Sequence, residues 1–411
     1  MSDILIARQP IYDRAMQVAG YEILYRNQRE DVADFADGDQ ATLNVLANTF
    51  LEIGLDDLIG AHPAFINCGR SFLTEENPLH LPVGRVVLEV VEKINPDPEV
   101  LQGIRNLVAR GYQIAFDDFC LESGKESLLE LTNYVKFDVL GAHRSRILED
   151  VKRLHEKGIQ LVAKMVETPE DFELCQELGF ELFQGYFLCK PRLIRREHAP
   201  VNQLAMMKLI TSLQDPDTDA RELEETISTD VTLSYRLLRY INSAFFGLRK
   251  KIDSIQRAVM LLGFNDIRTW ATVIAMSGIE GKPSELIRIS LLRAKFCELI
   301  AEQMDPTQRD AAFTVGLFSV IDALLDLPMR EALDPLPLAP IVEEALINQS
   351  GVLGQILNCV YAYQRGHWDG VDRFPQLSAA LGNAYLAAVN WSDEAAGALS
   401  APESATDSDS E

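Results

Sequence analysis

Short β-branched runs alternate with amphipathic stretches through the first half of the chain. Runs at 4–7, 18–25, 64–67, 86–91, 113–116, 134–137, 160–165 and 182–188 predict strands. Between them, Leu101, Ile104, Leu107 and Val108 recur at helical spacing, as do Phe172, Leu174, Cys175 and Leu178. Strand–helix alternation repeated this often predicts a parallel sheet closed as a (βα)8-type barrel.

After Pro191-Arg192-Leu193 the pattern changes. The stretch Arg195-Arg196-Glu197-His198-Ala199-Pro200 reads as a linker, and from Asn202 to about Asn390 helical periodicity dominates. Leu233, Leu237, Leu238 and Ile241 form one apolar stripe; Ile289, Leu292, Phe296 and Ile300 form another. The expected class is therefore α/β plus all-α: a barrel domain over 1–195 and a helical domain over 200–390. From Ser392 to Glu411 the chain carries Asp393, Glu394, Glu403, Asp407, Asp409 and Glu411 without a base. Such a segment buries too little apolar surface to offset its chain entropy, so 392–411 is expected to be a disordered acidic tail.

Composition narrows the function. The 411 residues include 62 acids against 38 bases, a formal net charge of -24. That field repels nucleic acid and anionic membrane, so neither is an expected partner, while a local basic pocket for a small anion remains compatible with it. Cys68, Cys120, Cys175, Cys189, Cys297 and Cys359 form no CxxC pair and sit mostly in apolar runs. They read as free thiols of a reducing compartment. No leader pattern and no apolar run of about 18 residues is present, so a cytoplasmic location is expected. The scattered histidines show no zinc-ligand spacing.

Ordered strings then carry a resemblance. Gln9-Pro10-Ile11-Tyr12-Asp13 precedes Gly20-Tyr21-Glu22-Ile23-Leu24-Tyr25-Arg26, followed by Phe65-Ile66-Asn67 and Leu88-Glu89-Val90-Val91-Glu92. Phe116-Asp117-Asp118-Phe119, Val135-Lys136-Phe137-Asp138 and Gln184-Gly185-Tyr186-Phe187 complete the series. Over about residues 1–195 this resembles the EAL domain, a family of cyclic di-GMP phosphodiesterases. In such chemistry divalent cations held by carboxylates activate water and stabilise charge on a phosphodiester. Hard cations take oxygen donors, so Asp, Glu and the Asn carbonyl suit Mg²⁺ or Mn²⁺. The resemblance implies Glu22, Asn67, Glu89 and Asp117 as ligands of a first metal and Asp118 of a second. It implies Lys136 and Glu167 as catalytic groups, Gln184 as a positioning group, and Arg26 as a partner of the ligand's phosphate. An isolated Asp117-Asp118 pair would more often cap a helix; the ligand-type residues elsewhere reverse that and favour the metal-binding reading.

The chain departs from the family at telling places. The family's Ala-Glu-Gly-Val-Glu-Thr run is here Ala163-Lys164-Met165-Val166-Glu167-Thr168. Lys164 thus stands where a glutamate would serve the second metal and the attacking water, and an ammonium cannot ligate a cation. A residual single Mg²⁺ or Mn²⁺ site is the expectation. The loop after the paired aspartates is longer than in the family and has Cys120 for a glycine. The resemblance implies that this loop tunes metal binding and dimer-dependent activity, so a homodimer is compatible with the chain.

The second half contains Ile227-Ser228-Thr229-Asp230-Val231-Thr232-Leu233-Ser234-Tyr235-Arg236-Leu237-Leu238-Arg239-Tyr240-Ile241-Asn242-Ser243-Ala244, then Ile255-Gln256-Arg257-Ala258-Val259-Met260-Leu261-Leu262-Gly263. It resembles the HDOD domain, a helical signalling module related to the HD hydrolases. Where an HD enzyme has its metal-binding His-Asp pair this chain has Ser319-Val320, so metal hydrolysis is not expected there. Arg236 and Arg239 fall outside the apolar stripe and read either as a solvated face or as a contact for an acidic partner. The expected function is a cytoplasmic signalling adaptor: a degenerate EAL barrel that binds cyclic di-GMP or acts as scaffold, and an HDOD domain that docks a signalling protein. The alternative is a cyclic di-GMP phosphodiesterase with an altered metal site.

Overall fold

The structure, a computed structural model, describes residues 4–27, 54–74, 81–91, 93–117, 126–139, 144–191, 201–248, 250–279, 281–374 and 378–400. Asp118, Cys120, the stretch Arg195–Pro200 and residues 401–411 lie outside these ranges. The chain divides into two compact units. One comprises Met1–Lys190 with Tyr361–Asn383, the other Pro191–Val360 with Ala384–Glu411.

Eight strands close a barrel in sequence order: β1 (Ile4–Asp13), β2 (Val18–Asn27), β3 (Ala64–Cys68), β4 (Val86–Val90), β5 (Gln113–Phe116), β6 (Tyr134–Asp138), β7 (Gln160–Lys164) and β8 (Leu182–Gln184). From β2 to β8 neighbours run parallel. The uniformly parallel sheet expected from the alternation fails at β1, which is antiparallel to both β2 and β8. The reason is local. Only a tight turn separates β1 from β2, and a turn that short joins antiparallel neighbours. Asp13 Oδ1 accepts from the Ala15 and Gln17 amides at 2.8 and 2.9 Å, and Met16 takes a left-handed φ of 59° to close it. The expected eighth strand also shortens: beyond Gln184 the chain turns, and Phe187–Cys189 is a single 3-10 turn.

Ile11, Phe65, Val87, Ala115, Val162 and Leu182 form a buried apolar cluster inside the barrel. Side chains two apart on a strand share a face. One step of two residues from this cluster therefore brings Gln9, Asn67, Glu89, Asp117, Lys164 and Gln184 onto the same interior face. The same step from Gly20 and Tyr134 gives Glu22 and Lys136. Gly20 leaves room for Phe65, since a Cβ there would lie 3.0 Å from the ring and force it to shift.

Tyr361–Asn383 belongs to the barrel's unit rather than to the helical domain in which the sequence placed it. The Tyr363 hydroxyl donates to the Ile6 carbonyl at 3.0 Å, and the Tyr186 hydroxyl to the Gln364 carbonyl at 2.9 Å. Arg365 lies over the Tyr186 ring at 4.6 Å. These contacts to β1 and to the loop after β8 are long-range, so no periodicity announces them.

The second unit is helical throughout its described residues. Leu233, Leu237 and Ile241 are buried, as their stripe requires. Tyr240, Phe245, Phe246, Trp270 and Trp391 stack into one aromatic cluster, with Tyr240 and Trp270 centroids 4.6 Å apart. The helix Ser378–Ser400 corrects the expectation for the start of the tail. Residues 392–400 are helical, Ser392 is fully buried, and its hydroxyl bonds the Val389 carbonyl at 2.9 Å. Alanines 395 and 396 continue the buried face, so this stretch packs despite Asp393 and Glu394.

Candidate functional site

The interior face of β2–β8 gathers the charged groups. Lys136 is wholly buried, and its ammonium bridges Glu22 Oε2 at 2.7 Å and both Glu89 oxygens at 2.8 and 2.9 Å. Glu22 also accepts from Asn67 Nδ2 at 3.1 Å and from Gln184 Nε2 at 2.5 Å. Gln184 Nε2 in turn reaches Gln9 Oε1 at 3.0 Å, and the Tyr25 hydroxyl holds the Asn67 carbonyl at 3.2 Å. The Gln184 Oε1 atom is buried without a partner among the described residues.

Lys164, at the end of β7, donates to Asp117 Oδ1, the residue just beyond β5. Three carboxyl groups thus face two ammoniums among the described residues. A glutamate at position 164 would remove one cation and add one anion. Replacement by lysine therefore shifts the site by two charges, at a distance where buried charges interact by several kcal/mol.

The electrostatics follow from one ammonium shared by two buried carboxylates. Burial pushes Glu22 up, but the Lys136 charge and the hydrogen bonds from Lys136, Gln184 and Asn67 outweigh it and hold it below its usual value. For Glu89 burial comes first, and the Glu22 charge adds to it. Lys136 opposes and Asp117 adds again, leaving the group at about 8. Burial alone would lower Lys136, yet Glu22, Glu89 and Asp117 raise it, so it stays a cation. Lys136 makes one contact to Glu22 and two to Glu89, and Glu22 has the further support of Asn67 and Gln184.

The β7 exit is shaped by backbone contacts. Met165 sits at φ 56°, a left-handed position where the family resemblance has glycine, and its side chain is half exposed. Val166 N donates to the Gln184 carbonyl at 3.1 Å, and Phe187 N to the Val166 carbonyl at 3.2 Å. Gly185 fits against this staple only without a Cβ, which would lie 1.9 Å from the Val166 oxygen. Glu167 follows in the loop, half-buried, just before Thr168 caps the helix Pro169–Leu178.

Arg26, near the end of β2, points elsewhere: its guanidinium pairs with Asp372 at 2.6 Å. Gln9, Tyr25 and Asp372 were absent from the candidate residues. Gln9 was findable, being two positions from Ile11 on the same face; Asp372 carries no sequence signal.

The donor set Glu22, Asn67, Glu89 and Asp117 has the hard-oxygen chemistry of a divalent-cation site. It is not arranged as one. No group of three or more His, Cys, Asp or Glu side chains among the described residues is placed to hold a metal ion. Each of the three carboxylates is turned onto a lysine. A first cation would need the Lys136 contacts to open. A second cation beside Asp117 would meet the Lys164 ammonium.

In the helical unit the position of the HD pair is sealed. Ser319 is buried, donates to the Gly316 carbonyl at 2.7 Å and accepts from Arg293 at 3.3 Å.

An eight-stranded barrel with its first strand reversed and a carboxylate–lysine interior, joined to a helical domain, defines the class. Residues 3–191 match the EAL domain family and residues 200–331 the HDOD domain family. The chain belongs to the EAL–HDOD proteins. It is 33% identical over 406 residues to the uncharacterized protein YuxH of Bacillus subtilis, covering 94% of this chain and 98% of YuxH. It is 32% identical over 373 residues to the cyclic di-GMP phosphodiesterase CdgJ of Vibrio cholerae, covering 90% of this chain and 86% of CdgJ. The solved calcium/cy-diGMP complex of Klebsiella pneumoniae BlrP1 aligns with a TM-score of 0.37 at 26% identity, over 46% of this chain and 55% of that one. No helix among the described residues is long and apolar enough to cross a membrane.

Proposed function

We propose that this protein is a cytoplasmic signalling adaptor whose EAL barrel binds cyclic di-GMP without efficient hydrolysis, while its HDOD domain docks a signalling protein. The observation that carries the reading is the Lys164–Asp117 ion pair, which sets an ammonium against a second cation. A divalent cation bound by Glu22, Asn67, Glu89 and Asp117 would supply charge neutralisation for a phosphodiester. Lys136 holds two of those carboxylates in place, Gln184 fixes Glu22, and Glu167 stands beyond β7 on the same rim. Asp118 is assigned to the same site. Arg26 would receive a phosphate once its pair with Asp372 opens, a task its planar fork suits. Docking by the HDOD domain is supported by Val231, Tyr235, Met260 and Leu261, all large apolar side chains left exposed. The cysteines among the described residues are free and all but Cys189 are buried, which supports the cytoplasmic setting.

A second reading, a phosphodiesterase with an altered metal site, is favoured by Glu22, Asn67, Glu89, Lys136 and Gln184 being joined in one hydrogen-bonded group. Its plausibility is raised by the similarity to CdgJ. Calorimetry with cyclic di-GMP and Mn²⁺, alongside a chromatographic assay for linear product, separates the two. Saturable binding without product is expected. Brisk turnover that disappears in Glu22→Ala would establish the enzyme.

A further inference from the structure

A cavity of about 240 Å³ opens in the helical unit, lined among others by Arg236, Ser277, Lys282, Ser284, Leu324 and Leu399. In a chain of net charge -24, no described lining residue is an Asp or Glu. Lys282 is already compensated by Asp326 at 2.6 Å.

Arg236 has no carboxylate partner among the described residues. It is half-buried on the helix Val231–Ile241, and its one described hydrogen bond, 2.8 Å long, goes to the neutral Ser277 hydroxyl. That hydroxyl spends its own proton on the Ile274 carbonyl at 2.8 Å, so it offers Arg236 a lone pair and no charge. Burial, and then the Arg239 charge, push the Arg236 guanidinium below its usual value. Both act against a cation that has no counter-charge beside it among the described residues.

A third feature has the same sign. The helix Ser284–Met304 begins at the cavity wall, and its N-cap, Pro283, makes no side-chain cap. Its 21 residues place a positive dipole end at the same wall, with Leu286 N bonded to the Pro283 carbonyl at 3.1 Å and no side chain capping the turn. Its first-turn acid, Glu285, is turned to Arg288 at 3.1 Å. The lining also includes the apolar Met276, Ile279, Ile287, Leu324 and Leu399.

We propose that this cavity is a binding site for a small anion with an apolar body, its phosphate or carboxylate head between Arg236 and the amides at Ser284. The forked guanidinium, Ser277 and the helix end bind the head, and the leucine-lined wall takes the body. Every lining residue belongs to the helical unit, so this site is separate from the barrel's carboxylates.

Phenyl phosphate titrated into the full chain, followed by calorimetry, tests it. Saturable binding is expected, weakened at least about tenfold in Arg236→Gln and by only about threefold in Arg236→Lys, which keeps the charge. Glu280→Gln, which removes the carboxylate that follows Ile279 of the lining in sequence, should bind at least as tightly as the unaltered chain. Unchanged circular dichroism would show that the variants fold. No saturable binding by the unaltered chain, or equal binding by Arg236→Gln, overturns the proposal.

Discussion

The barrel and the helical unit treat buried cations in opposite ways. In the barrel, Lys136 and Lys164 each lie against carboxylates, and the interior is closed upon itself. In the helical unit, Arg236 is half-buried with a neutral partner and an open cavity before it. A paired cation occupies the place of an ion; an unpaired one leaves a place for an ion. The barrel's lysines therefore set what its carboxylates can bind, and the helical unit's arginine sets what its cavity attracts.

The sharpest way to break this contrast is to remove one cation from each unit. Lys136→Met leaves Glu22 and Glu89 buried without their counter-charge and should cost about 3–5 kcal/mol in metal-free urea unfolding. Arg236→Gln should change stability by no more than about 0.5 kcal/mol in the same assay, as for other sites outside a paired network. Equal losses would dissolve the distinction.

A pH series sharpens it next. Glu89 moves from a usual 4.5 to about 8 in the folded chain, so between those values the folded state holds a proton that the unfolded state has lost. Stability must then fall as pH rises through that window, by up to about 1.4 kcal/mol per pH unit. Glu22 is held low and Lys136 high, so their contributions stay constant there. Denaturation in EDTA across the window should slope downward, and Glu89→Gln should flatten it.

Two smaller effects concern the rim of the barrel. Met165→Gly should raise stability by about 1 kcal/mol, because a left-handed backbone costs other residues what glycine avoids and the exposed side chain loses little packing. Thermal denaturation reads it. Asp372→Asn should release Arg26 and tighten cyclic di-GMP binding several-fold, the scale set by an exposed pair worth up to about 1 kcal/mol. Calorimetry reads that; unchanged affinity would remove Arg26 from the ligand's phosphate.

Much of the barrel was legible because its information is local. A period of two carries Phe65 to Asn67, Val87 to Glu89 and Val162 to Lys164, so strand runs and interior residues come from the same pattern. The reversal of β1 was readable in principle from the short spacing between Asp13 and Val18, yet repeated alternation argued louder for a parallel sheet. Met165 was seen as a substitution, but its φ was not. The pairing of Arg26 with Asp372 and the membership of Tyr361–Asn383 in the barrel's unit join residues hundreds of positions apart, which no periodicity encodes. At the other end, two acids outweighed Trp391, Ser392 and the alanines that bury the last helix.

Lys164 remains the hinge of the account, and counting bound Mn²⁺ by electron paramagnetic resonance tests it most directly. In the presence of cyclic di-GMP the unaltered chain is predicted to take up no more than one Mn²⁺, and Lys164→Glu to gain one more. Two ions bound tightly by the unaltered chain would contradict it.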